Sequence, residues 1–153
     1  MANSIELEFG DGTYLFALPL AQISELQRKC GIGIGGLFNR VLKGCNRLGD
    51  DIILAPGQAE FYALDLIETI RHALIGGGKG TVNGEEVKVT PIMASRLIDA
   101  YVLTRPLSDS WSIAASVLGA CIVGYTPPKK ATPADERAPG KPAVKKRKTK
   151  RAV

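Results

Sequence analysis

The sequence predicts an α+β protein that is mostly α, with an N-terminal β-hairpin, a bundle of about five helices and a disordered C-terminal tail. Near the N-terminus, apolar and acidic residues alternate on one side of an Asp-Gly turn, which is typical of a hairpin. Five later segments repeat apolar residues every three or four positions, as amphipathic helices do. After Tyr125 this periodicity stops. We therefore expect a domain over residues 1–125 and a basic, Pro-rich tail over residues 126–153.

The first third of the domain predicts two strands and two helices. The strands are expected at residues 4–9 and 13–18, and Pro19 ends the second strand. A first helix over residues 19–30 ends at Gly31, because glycine readily adopts the left-handed conformation that closes a helix. The glycine-rich segment 31–36 is interpreted as a flexible connector, followed by a second short helix that ends near Leu48.

The longest predicted helix covers residues 58–75, after a short apolar run at 52–54. Its apolar positions form one face, while Asp65, Glu68 and His72 are expected on a solvated opposite face. Three glycines then end the helix. The polar segment from 79 to 89 is expected to be a loop or a small hairpin.

Two further helices complete the predicted bundle. Thr90-Pro91 is typical of a capped helix start, so a fourth helix is expected over residues 91–103. The last helix, over residues 107–123, is apolar nearly all round and should be central in the core or part of an interface. Its candidate partner-binding residues are Trp111, Leu118 and Ile122.

Charge is divided unevenly along the 153 residues, whose net charge is +5. Residues 1–128 contain ten basic and thirteen acidic residues, a net charge of −3, whereas residues 129–153 contain ten and two, a net charge of +8. The tail is either a solubilising segment or a nonspecific site for nucleic acid or another polyanion. The residues that would bind the polyanion are Lys145, Lys146, Arg147, Lys148, Lys150 and Arg151.

Two glycine-rich segments resemble nucleotide-binding motifs only in part. Residues 31–36 match G-x-G-x-x-G, but a helical pattern precedes them where a dinucleotide site requires a strand. In the segment 76–81, Lys79 is followed by glycine where a phosphate loop requires Ser or Thr. We expect a helix–helix connection and a helix end, with no cofactor.

No complete catalytic or metal site is apparent, so we expect a protein that is not an enzyme. His72 is the single histidine, and its spacing from Asp65 and Glu68 is not a known set of metal ligands. The three cysteines are scattered and odd in number, which favours small buried thiols in a reducing compartment. The N-terminus lacks the pattern of a signal peptide, and no apolar stretch approaches the length of a membrane span. We expect a cytoplasmic protein that binds no membrane.

The order of several segments resembles the tail assembly chaperone family of siphophages and gene transfer agents, some of whose members are labelled tail tube proteins. The resemblance covers roughly residues 5–124. Its motifs are the Gly10–Tyr14 turn, Leu20–Gln27 before the glycine break at 31–36, Leu37–Val41, Ile70–Gly78, Thr90-Pro91, and Arg105–Leu107 before Trp111. The long basic tail departs from the family pattern.

The resemblance implies a chaperone of the host cytoplasm that binds the tape measure protein during virion morphogenesis and has no catalytic residues. Other tail proteins, or a second copy of the chain, are alternative partners. Two alternatives stay open: a structural tail component such as a tube subunit, and a small accessory protein that binds nucleic acid nonspecifically through the tail. A tube subunit normally needs long β-strands to form a ring, and the sequence predicts few.

Overall fold

The computed structural model describes residues 1–43, 45–48, 51–54 and 61–127. Within these ranges the chain forms five helices and six strands, all antiparallel where they pair. In chain order they are β1 (Ser4–Phe9), β2 (Gly12–Ala17), α1 (Leu20–Cys30), α2 (Ile34–Leu42), β3 (Cys45–Leu48), β4 (Asp51–Leu54), α3 (Ala63–Gly77), β5 (Lys79–Val82), β6 (Glu85–Lys88), α4 (Pro91–Tyr101) and α5 (Leu107–Ile122). The mostly helical α+β prediction is confirmed.

The N-terminal hairpin is confirmed, and it is half of a larger sheet. Ser4 of β1 is opposite Ala17 of β2, and Phe9 is opposite Gly12. The segment 79–89, which the sequence predicts as a loop or a small hairpin, forms the β5–β6 hairpin. Strand β5 also pairs with β2. The sheet order is therefore β1-β2-β5-β6.

Alternation along the strands places one apolar side of the sheet against the helices. The buried side chains on this side include Ile5, Phe9, Tyr14 and Phe16. The Tyr14 hydroxyl donates a hydrogen bond to the Asp11 carboxylate in the turn. Burial, and then this hydrogen bond, raise the pKa of Tyr14. The opposite side of β1 carries exposed Glu6 and Glu8.

The prediction of a second helix reaching Leu48 was wrong. Helix α2 ends at Leu42, and the following residues form β3, which pairs with β4 in a separate two-stranded sheet. The apolar spacing from Leu37 to Leu42 matched a helix, but Gly44 follows two residues later in the sequence, and glycine lowers helix propensity. The apolar run expected at 52–54 forms the last three residues of β4.

The other helices agree with the predictions to within a few residues, except at the start of α3. That helix begins at Ala63 rather than 58; residues 58–60 lie outside the described part of the chain. Gly31 and Gly78 close α1 and α3 in the left-handed conformation. Thr90 caps α4 by accepting a hydrogen bond from the Met93 amide at 3.2 Å, as expected from Thr90-Pro91.

Helices α3 and α5 pack against each other beside the sheet and supply a large share of the core. Their fully buried side chains include Leu66, Ile70, Leu74 and Leu118. Across the described ranges, no helix combines the length and apolarity needed to cross a bilayer. Residues 128–153 lie outside the described part of the chain, so the boundary near residue 125 and the disordered tail stay predictions.

Candidate partner-binding site

The three predicted contact residues on α5 occupy different environments. Trp111 and Leu118 are 1% and 0% exposed, because α5 is covered by α2, α3 and the sheet. Ile122, in the last turn, is 42% exposed. In this conformation a partner can therefore reach Ile122, while Trp111 and Leu118 belong to the core.

Trp111 joins three elements at the start of α5. Its indole Nε1 donates a hydrogen bond of 2.7 Å to the backbone oxygen of Val41 at the end of α2. Its ring lies 4.3 Å, centroid to centroid, from Phe61, which precedes α3. The buried tryptophan thus has its polar N–H satisfied, as a buried indole requires.

Further exposed apolar side chains lie near Ile122 at the C-terminal end of α5. Val123 is 66% exposed and Leu20, the first residue of α1, is 78% exposed. Leu20 belongs to the same end of the molecule because the Cys121 thiol lies 3.9 Å from the carbonyl oxygen of Leu18. We call Leu20, Ile122 and Val123 the α5-end patch.

The prediction that Asp65, Glu68 and His72 form a solvated face was wrong. Their exposures are 2%, 6% and 7%, because α1 and α2 cover this side of α3. Helical periodicity separates apolar from polar positions, but it does not show whether another polar helix face packs on the polar side. Here α1 packs on this side and contacts it through Gln22, while Glu25 and Lys29 of α1 stay exposed.

Arg40 of α2 holds the first of these buried acids. Its guanidinium makes two hydrogen bonds to the Asp65 carboxylate, at 2.6 and 2.7 Å, and a third to the Cys30 carbonyl at 3.2 Å. The Asp65 hydrogen bond is the main cause that raises the pKa of Arg40. The guanidinium also lies 4.6 Å from the centroid of the Tyr62 ring.

The second part of this interface is centred on His72. Its Nδ1 lies 2.8 Å from Gln22 Oε1 of α1, and its Nε2 lies 3.3 Å from Glu68 Oε2. Desolvation by burial is the main cause that lowers the pKa of His72. In the neutral ring, Nδ1–H donates to Gln22 and leaves Nε2 as an acceptor facing a carboxylate.

Several buried polar atoms at this interface have no hydrogen-bond partner within the described ranges: Glu68 Oε2, Thr69 Oγ1, Arg71 Nε and His72 Nε2. Glu68 and His72 offer two potential metal ligands. The described residues contain no group of three His, Cys, Asp or Glu that could hold a metal ion. We call the contact of α3 with α1 and α2, from Asp65 to His72, the polar helix interface.

Sequence reasoning missed Gln22 and Arg40, which face α3 from the two covering helices. A usable signal was present on α1, where Gln22, Glu25 and Lys29 repeat at three- and four-residue spacing. Asp65, Glu68 and His72 repeat similarly on α3. Two polar stripes of matching period can pack together as well as face water, and the sequence alone does not distinguish the outcomes.

The cysteines are less deeply placed than expected. Cys30 and Cys121 are free and half-buried, and the side chain of Cys45 is outside the described part. Burial first, and then Asp65, raises the pKa of Cys30 to about 12, and burial raises the pKa of Cys121. Both thiols are therefore protonated at neutral pH and unreactive as nucleophiles.

Each glycine-rich segment has a structural explanation. Gly31 to Gly33 connect two helices, but α2 begins at Ile34, so the connector is shorter than the predicted 31–36. At the end of α3, a Cβ on Gly76 or Gly77 would collide with the carbonyl oxygens of Ala17 or Leu15. These glycines allow close approach of α3 to β2, and they are not a free hinge.

The fold and its surfaces define a small, mostly helical protein with exposed apolar side chains at one end. Its glycine-rich segments resemble nucleotide-binding motifs in sequence only. A family model described as "Phage tail tube protein, GTA-gp10" matches residues 2–124. The chain therefore belongs to this family of phage and gene-transfer-agent tail proteins. No curated protein and no solved structure matches the chain.

Proposed function

We propose that this chain is a tail assembly chaperone that binds the tape measure protein during virion morphogenesis in the host cytoplasm. The observation that carries the proposal is the α5-end patch, in which three large apolar side chains are 42% to 78% exposed on a helical domain. Exposed apolar clusters of this kind often bind partner proteins.

In the proposed mechanism, the α5-end patch temporarily covers an apolar stripe on the helical tape measure protein. A long tape measure chain exposes such stripes before the tube encloses it, and an amphipathic helix binds an apolar surface through side chains at helical spacing. Fully burying one large aliphatic side chain contributes roughly 1.5–3 kcal/mol before the costs of association. Many copies bound along one client would add avidity.

The chaperone proposal includes no catalytic step. The single histidine, His72, is buried and faces Gln22, which places it away from any substrate in solvent. Partial burial raises the pKa of the Cys30 and Cys121 thiols, which favours their protonated form. A binding role requires none of these groups to react.

A tube subunit is the second candidate function, and the family description favours it directly. Against it, the longest strands in the described ranges contain six residues, in β1 and β2. A ring built from this domain would have to use helical contacts or pair its short edge strands. Quantitative mass spectrometry of purified particles separates the candidates, because a tube subunit remains in many copies and a chaperone does not.

The chaperone proposal is tested by co-expressing the full chain with the tape measure protein and capturing the complex in high-salt buffer. We expect Ile122→Glu combined with Val123→Glu to abolish capture, because two charges would be buried on binding. Ile92→Glu is the matched control, since Ile92 is 70% exposed on α4, outside the patch.

Three outcomes are informative. Capture that survives high salt and is lost only in the patch variant supports the chaperone proposal. Capture that disappears in high salt, together with binding to any DNA, supports the accessory role of the basic tail. Absence of capture with the unchanged chain removes the chaperone proposal.

A further inference from the structure

The four-stranded sheet ends at β6, a short strand with an exposed outer edge. Strand β6 pairs with β5 on one side, and its main contacts within the described ranges are with β5. Glu85, Glu86 and Lys88 are exposed, and Val87 is partly buried. An open strand edge presents N–H and C=O groups with which another strand can pair. The outer edge of β6 is therefore a candidate surface for pairing between molecules.

The other edge of the sheet, at β1, is partly covered. Tyr125 and Ala2 exchange backbone hydrogen bonds of 2.9 and 2.7 Å beside the start of β1. Helix α5 also packs against β1. Strand β6 is therefore the more open of the two edges.

The hydrogen bonds between β5 and β6 show which groups of β6 point outward. The Val89 amide donates a hydrogen bond of 2.9 Å to the Gly78 carbonyl, where the two strands meet. Inward and outward positions alternate along an antiparallel strand. Val87 therefore directs its backbone groups to β5, whereas Glu86 and Lys88 direct theirs to the open edge. Neither of these two residues takes part in the other backbone hydrogen bonds of the described chain.

The side chains of the same two residues lack an opposite charge. Lys88 is opposite Lys79 of β5, and Glu86 is opposite Thr81. Neither Lys88 nor Glu86 belongs to an ion pair found in the described part of the chain. Like charges on opposite strands destabilise a sheet, so a carboxylate placed beside Lys88 from the open edge would offset the contact with Lys79.

Alternation restricts how a second β6 strand can pair here. Opposite residues in an antiparallel pair either both bond across the pair or both point away, so Glu86 and Lys88 of one copy can be opposite only outward-bonding residues of the other. Two registers place Glu86 opposite itself or Lys88 opposite itself, which brings like charges together. The register between them places Glu86 of each copy opposite Lys88 of the other.

We propose that β6 is a self-pairing surface, and that it binds β6 of a second copy of this chain with Glu86 of each copy opposite Lys88 of the other. A two-fold axis then passes between the two Val87 residues, which meet on the helix side of the sheet. The two sheets join in the order β1-β2-β5-β6-β6-β5-β2-β1. The proposal does not depend on the chaperone function.

The contact contains four backbone hydrogen bonds, two pairs of opposite charge and one apolar pair. An interface of one short strand is small, so we expect a weak dimer with a dissociation constant on the order of 100 μM. A two-fold contact uses the same edge on both copies, so association stops at the dimer.

Sedimentation velocity of the full chain tests the association, at concentrations from roughly tenfold below to tenfold above that constant. We expect a shift from monomer to dimer. Amide hydrogen exchange followed by NMR locates the contact, because the Glu86 and Lys88 amides should exchange several-fold more slowly at the highest concentration, whereas the Val87 amide is protected throughout. A monomer at every concentration, or exchange at Glu86 and Lys88 that is independent of concentration, would overturn the proposal.

Charge exchange tests the register. Glu86→Lys and Lys88→Glu each replace two opposite-charge pairs by two like-charge pairs, so each should weaken dimerisation roughly tenfold. The double variant Glu86→Lys, Lys88→Glu exchanges the two charges and keeps the net charge, so it should return to within about threefold of the unchanged chain. A mixture of the two single variants should also dimerise, because each supplies the charge that the other requires.

The matched controls are Asp99→Lys and Arg96→Glu, which make the same changes in net charge at exposed positions on α4. We expect both to dimerise like the unchanged chain. Equal weakening in these controls, or no recovery in the double variant, would overturn the proposed register. Oligomers that grow beyond the dimer would indicate pairing of β6 with β1 of the next copy, and a dimer lost only in Ile122→Glu would indicate the α5-end patch. Either result would also overturn the proposal.

Discussion

The two sides of α3 are buried to the same extent and are stabilised by different means. Toward β2 and α5, the buried side chains Leu66, Ile70 and Leu74 pack in an apolar core. Toward α1 and α2, Asp65 and His72 are equally buried but depend on specific partners. Apolar packing is nondirectional, whereas a buried polar group stabilises the fold only when its hydrogen bonds are made.

This contrast predicts where the domain tolerates change. Buried apolar side chains stabilise the fold in proportion to the area that they remove from water. Truncating one of them therefore lowers the free energy of unfolding considerably. A buried ion pair can be replaced by apolar residues at little cost, although removing one partner alone is destabilising. The polar helix interface therefore fixes how α1 and α2 sit on α3 more than it adds to net stability.

The largest effect is expected at Trp111 of α5, which belongs to the buried core. Trp111→Ala removes a buried indole and its hydrogen bond to Val41, and should lower the free energy of unfolding by about 3–5 kcal/mol. Urea unfolding followed by circular dichroism measures this. Trp111→Phe is the matched control, with a smaller loss, because it keeps an aromatic ring beside Phe61. Equal losses would show that ring packing contributes little.

A smaller loss is expected when Asp65 is replaced on the polar side. Asp65→Ala leaves Arg40 without its main partner, but the 23% exposure of the Arg40 side chain lets water replace part of the contact. We expect a loss of about 2 kcal/mol in the free energy of unfolding. The double variant Arg40→Met, Asp65→Leu should return to within about 1 kcal/mol of the unchanged chain. Additive losses would contradict this account.

The pH dependence of stability isolates His72 within the polar helix interface. Its pKa in the fold lies below the ordinary value of 6.5, so the unfolded chain binds the proton more tightly. Stability is complete above pH 6.5 and decreases as the pH falls from there toward the lowered pKa. Urea unfolding at pH 7.5, 6.5 and 5.5 should show this decrease in the unchanged chain and a weaker one in His72→Gln. Identical slopes would exclude His72 as the cause.

The apolar side of α3 could be predicted from the sequence, and its polar side could not. The positions from Leu66 to Leu74 repeat at helical spacing, and such a stripe has one stable destination, a core. A polar stripe has two stable environments, because it can face water or pack against another polar surface. The choice at Asp65 depends on Arg40, which is 25 residues away in the chain and reaches Asp65 only after α2 has packed.

The surface proposed to bind a partner was predictable to a similar degree. The sequence indicated that α5 is apolar nearly all round, but it did not separate the enclosed Trp111 from the exposed Ile122. That separation arises because the neighbouring elements cover the middle of α5, from Ser110 to Ala120, and leave its last turn open. The polyanion-binding residues from Lys145 to Arg151 lie outside the described part of the chain, so that prediction stays untested.

The smallest effect is expected for the ion pair between Glu25 and Arg28 on α1. Its N···O distance of 2.6 Å equals that of the Arg40–Asp65 pair, but its side chains are 50% and 66% exposed, against 3% for Asp65. Water can replace the lost contact at both groups, so Arg28→Ala should leave the urea midpoint unchanged within error. The difference between the two pairs would then come from burial, since their lengths are the same. An Arg28→Ala loss comparable to that of Asp65→Ala would mean that pair geometry, rather than burial, decides the contribution.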